Sequence, residues 1–315
     1  MSGGRTWTSR SLGSKSGHQF FYWAIRLGGR RPAYFFLYFV VFYYVVFHPA
    51  VKDKTEPYLS HRFPGSSPFK RFFQRYRFSL HLGKALIDRA VFGICKENSI
   101  RISFERDDDL VRLKALNGGF VILMSHVGGW QVVMSALSAL GKPVNLLMLR
   151  EEQDIDKHYF EHGQGKVPFN IISPEQFLGG TIEMLNALKN DEILCIMGDR
   201  VFKSSELAID MEFLDGRARF PVSAFKIASI AQKAVVVLYS QKTGPAGYRL
   251  TIPEIIHIPG KLGKNVEKFR PYVRRFVISL EQYTRRYPYQ FFNFYDMWEA
   301  DETTTNSFFK AEGHN

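Results

Sequence analysis

Phe120-Val121-Ile122-Leu123-Met124-Ser125-His126-Val127-Gly128-Gly129-Trp130-Gln131 decides how the chain folds. Five apolar residues in a row read as a strand buried on both faces. A serine, a histidine and two glycines follow, and a helical stretch opens behind them. A strand–turn–helix junction sets its side chains at the carboxyl edge of a sheet, where α/β proteins bind ligands. Gly128 and Gly129 let the backbone turn tightly and leave room above the imidazole. Backbone N–H groups at the helix start are placed to stabilise a developing oxyanion. His126 reads either as a general base, an imidazole whose pKa lies close to working pH, or as a histidine satisfied at a helix N-cap.

The rest of residues 99–286 alternates in the same way. Ser99–Phe104, Val144–Leu149, Ile193–Met197, Val235–Ser240 and Tyr248–Pro253 are short strand-like runs. Val127–Leu140, Pro174–Asn190, Pro221–Gln232 and Val266–Arg286 have helical spacing, with Pro174 and Pro221 at N1 and Ser173 as an N-cap. The expected class is α/β: a central mixed sheet flanked by helices. Cys95 and Cys195 are too few for a disulfide framework and read as reduced core residues.

Charge is unevenly placed. Residues 1–90 hold fifteen Lys/Arg and three Asp/Glu; residues 91–315 hold twenty-seven of each, so the net +12 belongs to the N-terminal part. A localised positive field suits an anionic lipid leaflet or a nucleic acid. The neighbouring block Ala33–Phe47 favours lipid: fifteen residues without a charge, flanked by Arg30, Arg31, His48 and Lys52. Basic residues that flank an apolar block, rather than interleave with isolated rings, exclude nucleic-acid binding. As a helix the block is roughly 22 Å long, short of the roughly 30 Å hydrocarbon core. It reads as a membrane-associated helix dipping into one leaflet or as a tilted span, with a buried core helix as the alternative. Phe69–Glu97 reads as a basic amphipathic helix, with Arg71, Arg75, Arg77 and Lys84 opposite Phe72, Tyr76 and Leu80. The expected organisation is a membrane-attachment segment over 1–60, an α/β domain over 61–300 and a disordered tail over 301–315.

Ser125-His126-Val127-Gly128-Gly129-Trp130-Gln131 resembles the His-x4-Glu/Asp signature of the lysophospholipid acyltransferase superfamily, nearest to its bacterial lipid A late acyltransferase branch. Gly198-Asp199-Arg200, Phe213–Pro221 and Tyr289–Trp298 add to the resemblance, which runs from about Trp7 to Trp298. It implies a glycerolipid acyltransferase-like fold at the cytoplasmic face of the inner membrane. It implies an acyl carrier protein or coenzyme A thioester as donor, a lipid hydroxyl or amine as acceptor, and no metal or redox cofactor. In such enzymes the histidine takes the acceptor's proton and an acidic partner orients the ring.

Here the chain departs from the signature, because the partner position is Gln131. Three readings follow: another carboxylate substitutes, with Asp199 the candidate because it also ends a strand; the acceptor is a stronger nucleophile such as an amine or phenol; or the chain binds lipid without turnover. An aminoacyl or polyene-to-phenolic-lipid transfer on the same scaffold is the alternative activity. Besides His126, Gln131 and Asp199, the expected substrate-binding residues are Gly128, Gly129, Trp130, Arg150, Arg200 and Arg217. Arg150 equally reads as a surface arginine beside Glu151 and Glu152, and Asp199-Arg200 as a structural ion pair. Asn293 and Asp296 read as locks for the C-terminal segment. His158 and His162 stand four apart among Asp154, Asp156 and Glu161, a spacing that suits a metal or an exposed charged helix.

Overall fold

The computed structural model describes residues 15–95, 100–137, 140–149, 169–201, 207–260 and 262–298. In chain order the helices and strands are α1 (Lys15–Gly28), α2 (Arg30–Phe47), α3 (Pro49–Arg62), α4 (Pro68–Cys95), β1 (Arg101–Phe104), α5 (Asp109–Lys114), β2 (Phe120–Met124), α6 (Trp130–Leu137), β3 (Val144–Leu147), β4 (Asn170–Ile172), α7 (Thr181–Lys189), β5 (Ile193–Met197), β6 (Ala208–Phe213), β7 (Gly216–Pro221), α8 (Ser223–Ala231), β8 (Val235–Lys242), β9 (Gly247–Ile256) and α9 (Arg270–Arg286).

Seven strands form a mixed sheet in the order β1-β9-β8-β2-β5-β3-β4. Strands β8, β2, β5, β3 and β4 run parallel; β9 is antiparallel to β8 and carries β1 parallel to itself. The apolar run of β2 is continuous because helices cover both faces of the sheet. Val121 and Leu123 pack with Phe225, Phe276 and Leu280 of α8 and α9. Phe120, Ile122 and Met124 pack on the other side with Leu113, Met134 and Leu137 of α5 and α6. Cys195 of β5 is buried and free, and burial pushes its thiol pKa up.

The N-terminal helices form their own layer. Helix α2 buries Ala33, Leu37, Val41 and Val45, four residues apart, against Ile25 of α1 and Leu80, Ile87 and Val91 of α4. Gly83 makes this approach possible, since a Cβ there would stand 2.6 Å from Leu37 Cδ1. The opposite face of α2 leaves Phe35, Phe39, Phe42, Tyr43 and Phe47 exposed. No single described helix is long and apolar enough to cross a membrane, and α2 meets α3 at 91° across His48. The expected division at residue 60 falls inside α3, whose Tyr58 and Leu59 belong to the main core.

The basic face expected on α4 is divided among partners. Arg71 and Arg75 are turned inward and pair with Glu56 of α3. Lys84 lies over the rings of Tyr34 and Tyr38. Arg77 alone of the four faces the C-terminal segment, over the ring of Tyr289.

Three helix starts differ from the sequence expectation. Helix α6 begins at Trp130, because Gly128 has φ +58° and Val127 bridges antiparallel to Phe291. Pro174 opens a turn held by the Ser173 hydroxyl, and α7 begins only after Leu178, Gly179 and Gly180, all at positive φ. Pro221 ends β7 rather than opening a helix. The expectations for 1–14 and 299–315 lie outside the described residues.

Candidate active site

Strands β2 and β5 are equal in length and paired in register, Phe120 with Ile193 through Met124 with Met197. The ladder continues one step, the Gly198 amide donating to the Met124 carbonyl at 2.9 Å. Continuing the same register places His126 opposite Asp199. The imidazole Nδ1 lies 2.9 Å from Asp199 Oδ1 and 3.0 Å from Oδ2. The His126 backbone amide donates to Oδ2 at 3.1 Å.

A carboxylate only accepts, so Nδ1 carries the proton and the lone pair is on Nε2. The Asp199 side chain is fully buried, whereas that of His126 is 19% exposed. Burial, the largest single influence, raises the Asp199 pKa. The His126 ring, its two hydrogen bonds and the Arg200 charge together outweigh burial and hold the carboxyl below its ordinary value. The residues therefore form an oriented imidazole backed by a charge, able to accept a proton and stabilise the imidazolium that results.

The turn after His126 is fixed by direct contacts. A Cβ on Gly128 would stand 2.1 Å from the Ser240 carbonyl oxygen, and one on Gly129 would stand 2.4 Å from the Tyr248 ring. Close approach of β8 and β9 thus requires glycine at both positions. The amides are engaged as well. Val127 donates to Ser125 O at 2.7 Å, Gly128 to Gln290 O at 2.9 Å, and Gly129 to Ser240 Oγ at 3.1 Å. The amides of 126–129, which precede the helix start at Trp130, therefore form no oxyanion hole.

The segment Tyr289–Trp298 straps this turn. Phe292 donates its amide to the His126 carbonyl at 2.7 Å, and the Tyr295 hydroxyl donates to the Asp199 carbonyl at 3.2 Å. Arg200, expected to bind substrate, is buried, donates to the Phe292 carbonyl at 2.7 Å and lies over the Tyr295 ring. Asn293 Oδ1 and Asp296 Oδ1 accept from the amides of Tyr295 and Trp298, fixing local turns.

The other expected residues are scattered. Trp130 stands edge-on to His126, ring centroids 6.5 Å apart. Gln131 lies half-buried on the first turn of α6, while Asp199 holds Nδ1. Arg217 is 80% exposed on the β6–β7 ribbon and pairs with Asp210. Arg150 and the cluster from Asp154 to His162 lie outside the described residues. Among the described residues no group of His, Cys, Asp or Glu is arranged to hold a metal.

One assembly went unread in the sequence. Asp88 is fully buried and receives Arg30 at 2.9 Å, the Tyr34 hydroxyl at 2.5 Å, the Tyr248 hydroxyl at 2.6 Å and the Lys242 ammonium. Through Tyr248, which fills the space at Gly129, this carboxylate connects the N-terminal helices to the turn after His126. Its sequence signal was faint: Asp88 is one of three acids among the ninety N-terminal residues.

Among solved structures, the chain is similar to the 1-acyl-sn-glycerophosphate acyltransferase from Thermotoga maritima, at a TM-score of 0.36 and 11% sequence identity over 81% of this chain and 98% of that one. A likeness of that degree carries no argument about chemistry, which rests on the side chains described above. No family model and no curated protein matches the chain.

Proposed function

We propose that the chain is an acyltransferase acting at a membrane surface, moving an acyl group from a thioester of acyl carrier protein or coenzyme A to a hydroxyl or amine of a lipid. One observation carries the reading. An imidazole at the carboxyl edge of two parallel strands has its Nδ1 on a buried carboxylate, leaving Nε2 as the base.

In the step, Nε2 removes the acceptor proton as the oxygen or nitrogen attacks the thioester carbonyl. The tetrahedral species collapses, the C–S bond breaks, and the imidazolium returns the proton to the departing thiolate. Asp199 stays ionised throughout and stabilises the imidazolium, as the third member of a catalytic triad does. The exposed rings of α2 suit attachment in the plane of the headgroups, since the helix buries its aliphatic side and turns its aromatic side outward.

The test uses the purified full chain, both classes of thioester and a panel of lysolipids presented in vesicles. Thiol release coupled to a new acylated lipid, lost in His126→Ala, is the expected result. No transfer from either donor, together with intact function of His126→Ala in cells, would overturn the enzyme reading.

A further inference from the structure

Besides the site, the molecule has an open groove of about 250 Å³ lined by Phe69, Lys70, Phe73, Gln74 and Arg77 of α4 and by Tyr289. Its lining carries two cations and no acid. Neither cation has a carboxylate partner among the described residues, whereas Arg71 and Arg75 of the same helix both pair with Glu56. Arg77 lies over the Tyr289 ring, 4.6 Å from its centroid.

Between the cations the groove is apolar, with Phe69 73% and Phe73 47% exposed. Those rings continue the outward face of α2: Phe42 meets Phe72 at 6.3 Å, Phe72 meets Phe73 at 5.6 Å, and Phe73 meets Phe69 at 4.9 Å. An exposed apolar patch rimmed by unmatched cations calls for an occupant that is anionic at one end and apolar along its body. A free anion would leave the rings in water, and a neutral lipid would leave both cations unmatched.

We infer that this groove seats the headgroup of an anionic phospholipid, with Lys70 and Arg77 holding the phosphate and the acyl chains lying along the Phe69–Phe73–Phe42 rings. The inference rests on the membrane part of the reading above and not on acyl transfer. Its location adds a consequence: Tyr289 is one wall, and the adjoining Gln290 carbonyl accepts from the Gly128 amide. A lipid held there lies against the strap of the site.

The experiment measures binding of the full chain to vesicles of phosphatidylcholine alone and of equal parts phosphatidylcholine and phosphatidylglycerol. Wild type is expected to bind both, and the mixed vesicles more tightly. The double variant Lys70→Gln/Arg77→Gln should bind neutral vesicles like wild type and lose about 30-fold on mixed ones, since each cation near an anionic surface contributes about a factor of five. Lys70→Arg/Arg77→Lys, which keeps both charges, should restore binding. Lys114→Gln/Lys268→Gln removes the same charge from exposed positions elsewhere and should lose little.

An equal loss in that control would replace the groove with general charge attraction and overturn the inference. Saturable binding of inorganic phosphate, abolished by the groove variant, would make the occupant a free anion and also overturn it. Wild type binding both vesicles equally overturns the groove alone. Wild type binding neither overturns membrane attachment and the groove together.

Discussion

Asp199 accepts two hydrogen bonds from His126, one from the ring Nδ1 at 2.9 Å and one from the backbone amide at 3.1 Å. The carboxylate thus orients the ring and anchors the turn that carries it. Asp199→Asn keeps the size but presents an amide that can donate to Nδ1, which favours the other tautomer and takes the lone pair off Nε2. Turnover should fall by about 10⁴, as the same exchange does in a serine-protease triad, with KM nearly unchanged. Steady-state kinetics decide it; a loss under tenfold would show that the carboxylate does not support the base.

Gln131→Glu restores the acid found in the resembling signature. Because Asp199 already holds Nδ1, the rate should stay within about twofold of wild type, far inside the 10²–10⁴ associated with a working acid–base group. A tenfold gain in the same assay would mean that the glutamate had taken over the ring.

The depressed pKa of Asp199 ties stability to acid. Below the ordinary carboxyl value of 3.8 the unfolded chain takes up a proton on this group before the folded chain does. The stability it contributes is complete above that value and drains away as pH falls through the lower folded value. Denaturant midpoints of wild type should therefore drop more steeply below 3.8 than those of Asp199→Asn. Parallel acid limbs would show that the folded carboxyl is not depressed.

Asp88→Asn leaves Arg30 and Lys242 buried around a neutral amide. Removing one partner of a buried charge cluster costs about 3–5 kcal/mol, and urea unfolding should show a loss of that size. A cost below about 1 kcal/mol would mean that the two cations swing out to water.

The sequence showed the sheet's interior better than its margins. Strands β2 and β5 were readable to the residue because both faces are covered and every position must be apolar. Their equal lengths also explain why Asp199, two residues beyond its strand, could be named beside His126. Strand β4 has three residues, too few for a pattern. The β6–β7 ribbon was missed although Asp215-Gly216 between alternating residues is a hairpin signal. There Leu214 and Asp215 take positive φ themselves, with Gly216 just outside the turn. Of the glycines expected to turn the backbone after His126, Gly128 does so at φ +58°, but the close packing that also demands them has no local signal. What excludes a side chain is Ser240 and Tyr248, more than a hundred residues away, and no local pattern records such a neighbour. Lys242 and Tyr248 gave no sign of sharing Asp88 for the same cause.

Helix α3 sets a limit on how far the chain can be shortened from its N-terminal side. Its Tyr58 lies among Phe78 and Phe291, and the Tyr58 hydroxyl donates to the Pro288 carbonyl at 2.7 Å, just upstream of the strap. Cutting at residue 60 would therefore open a hole beneath the turn that carries His126 and bare the aliphatic flank of α4. The exposed rings of α2 can instead be replaced by polar side chains with every helix left in place, because they take no part in that packing.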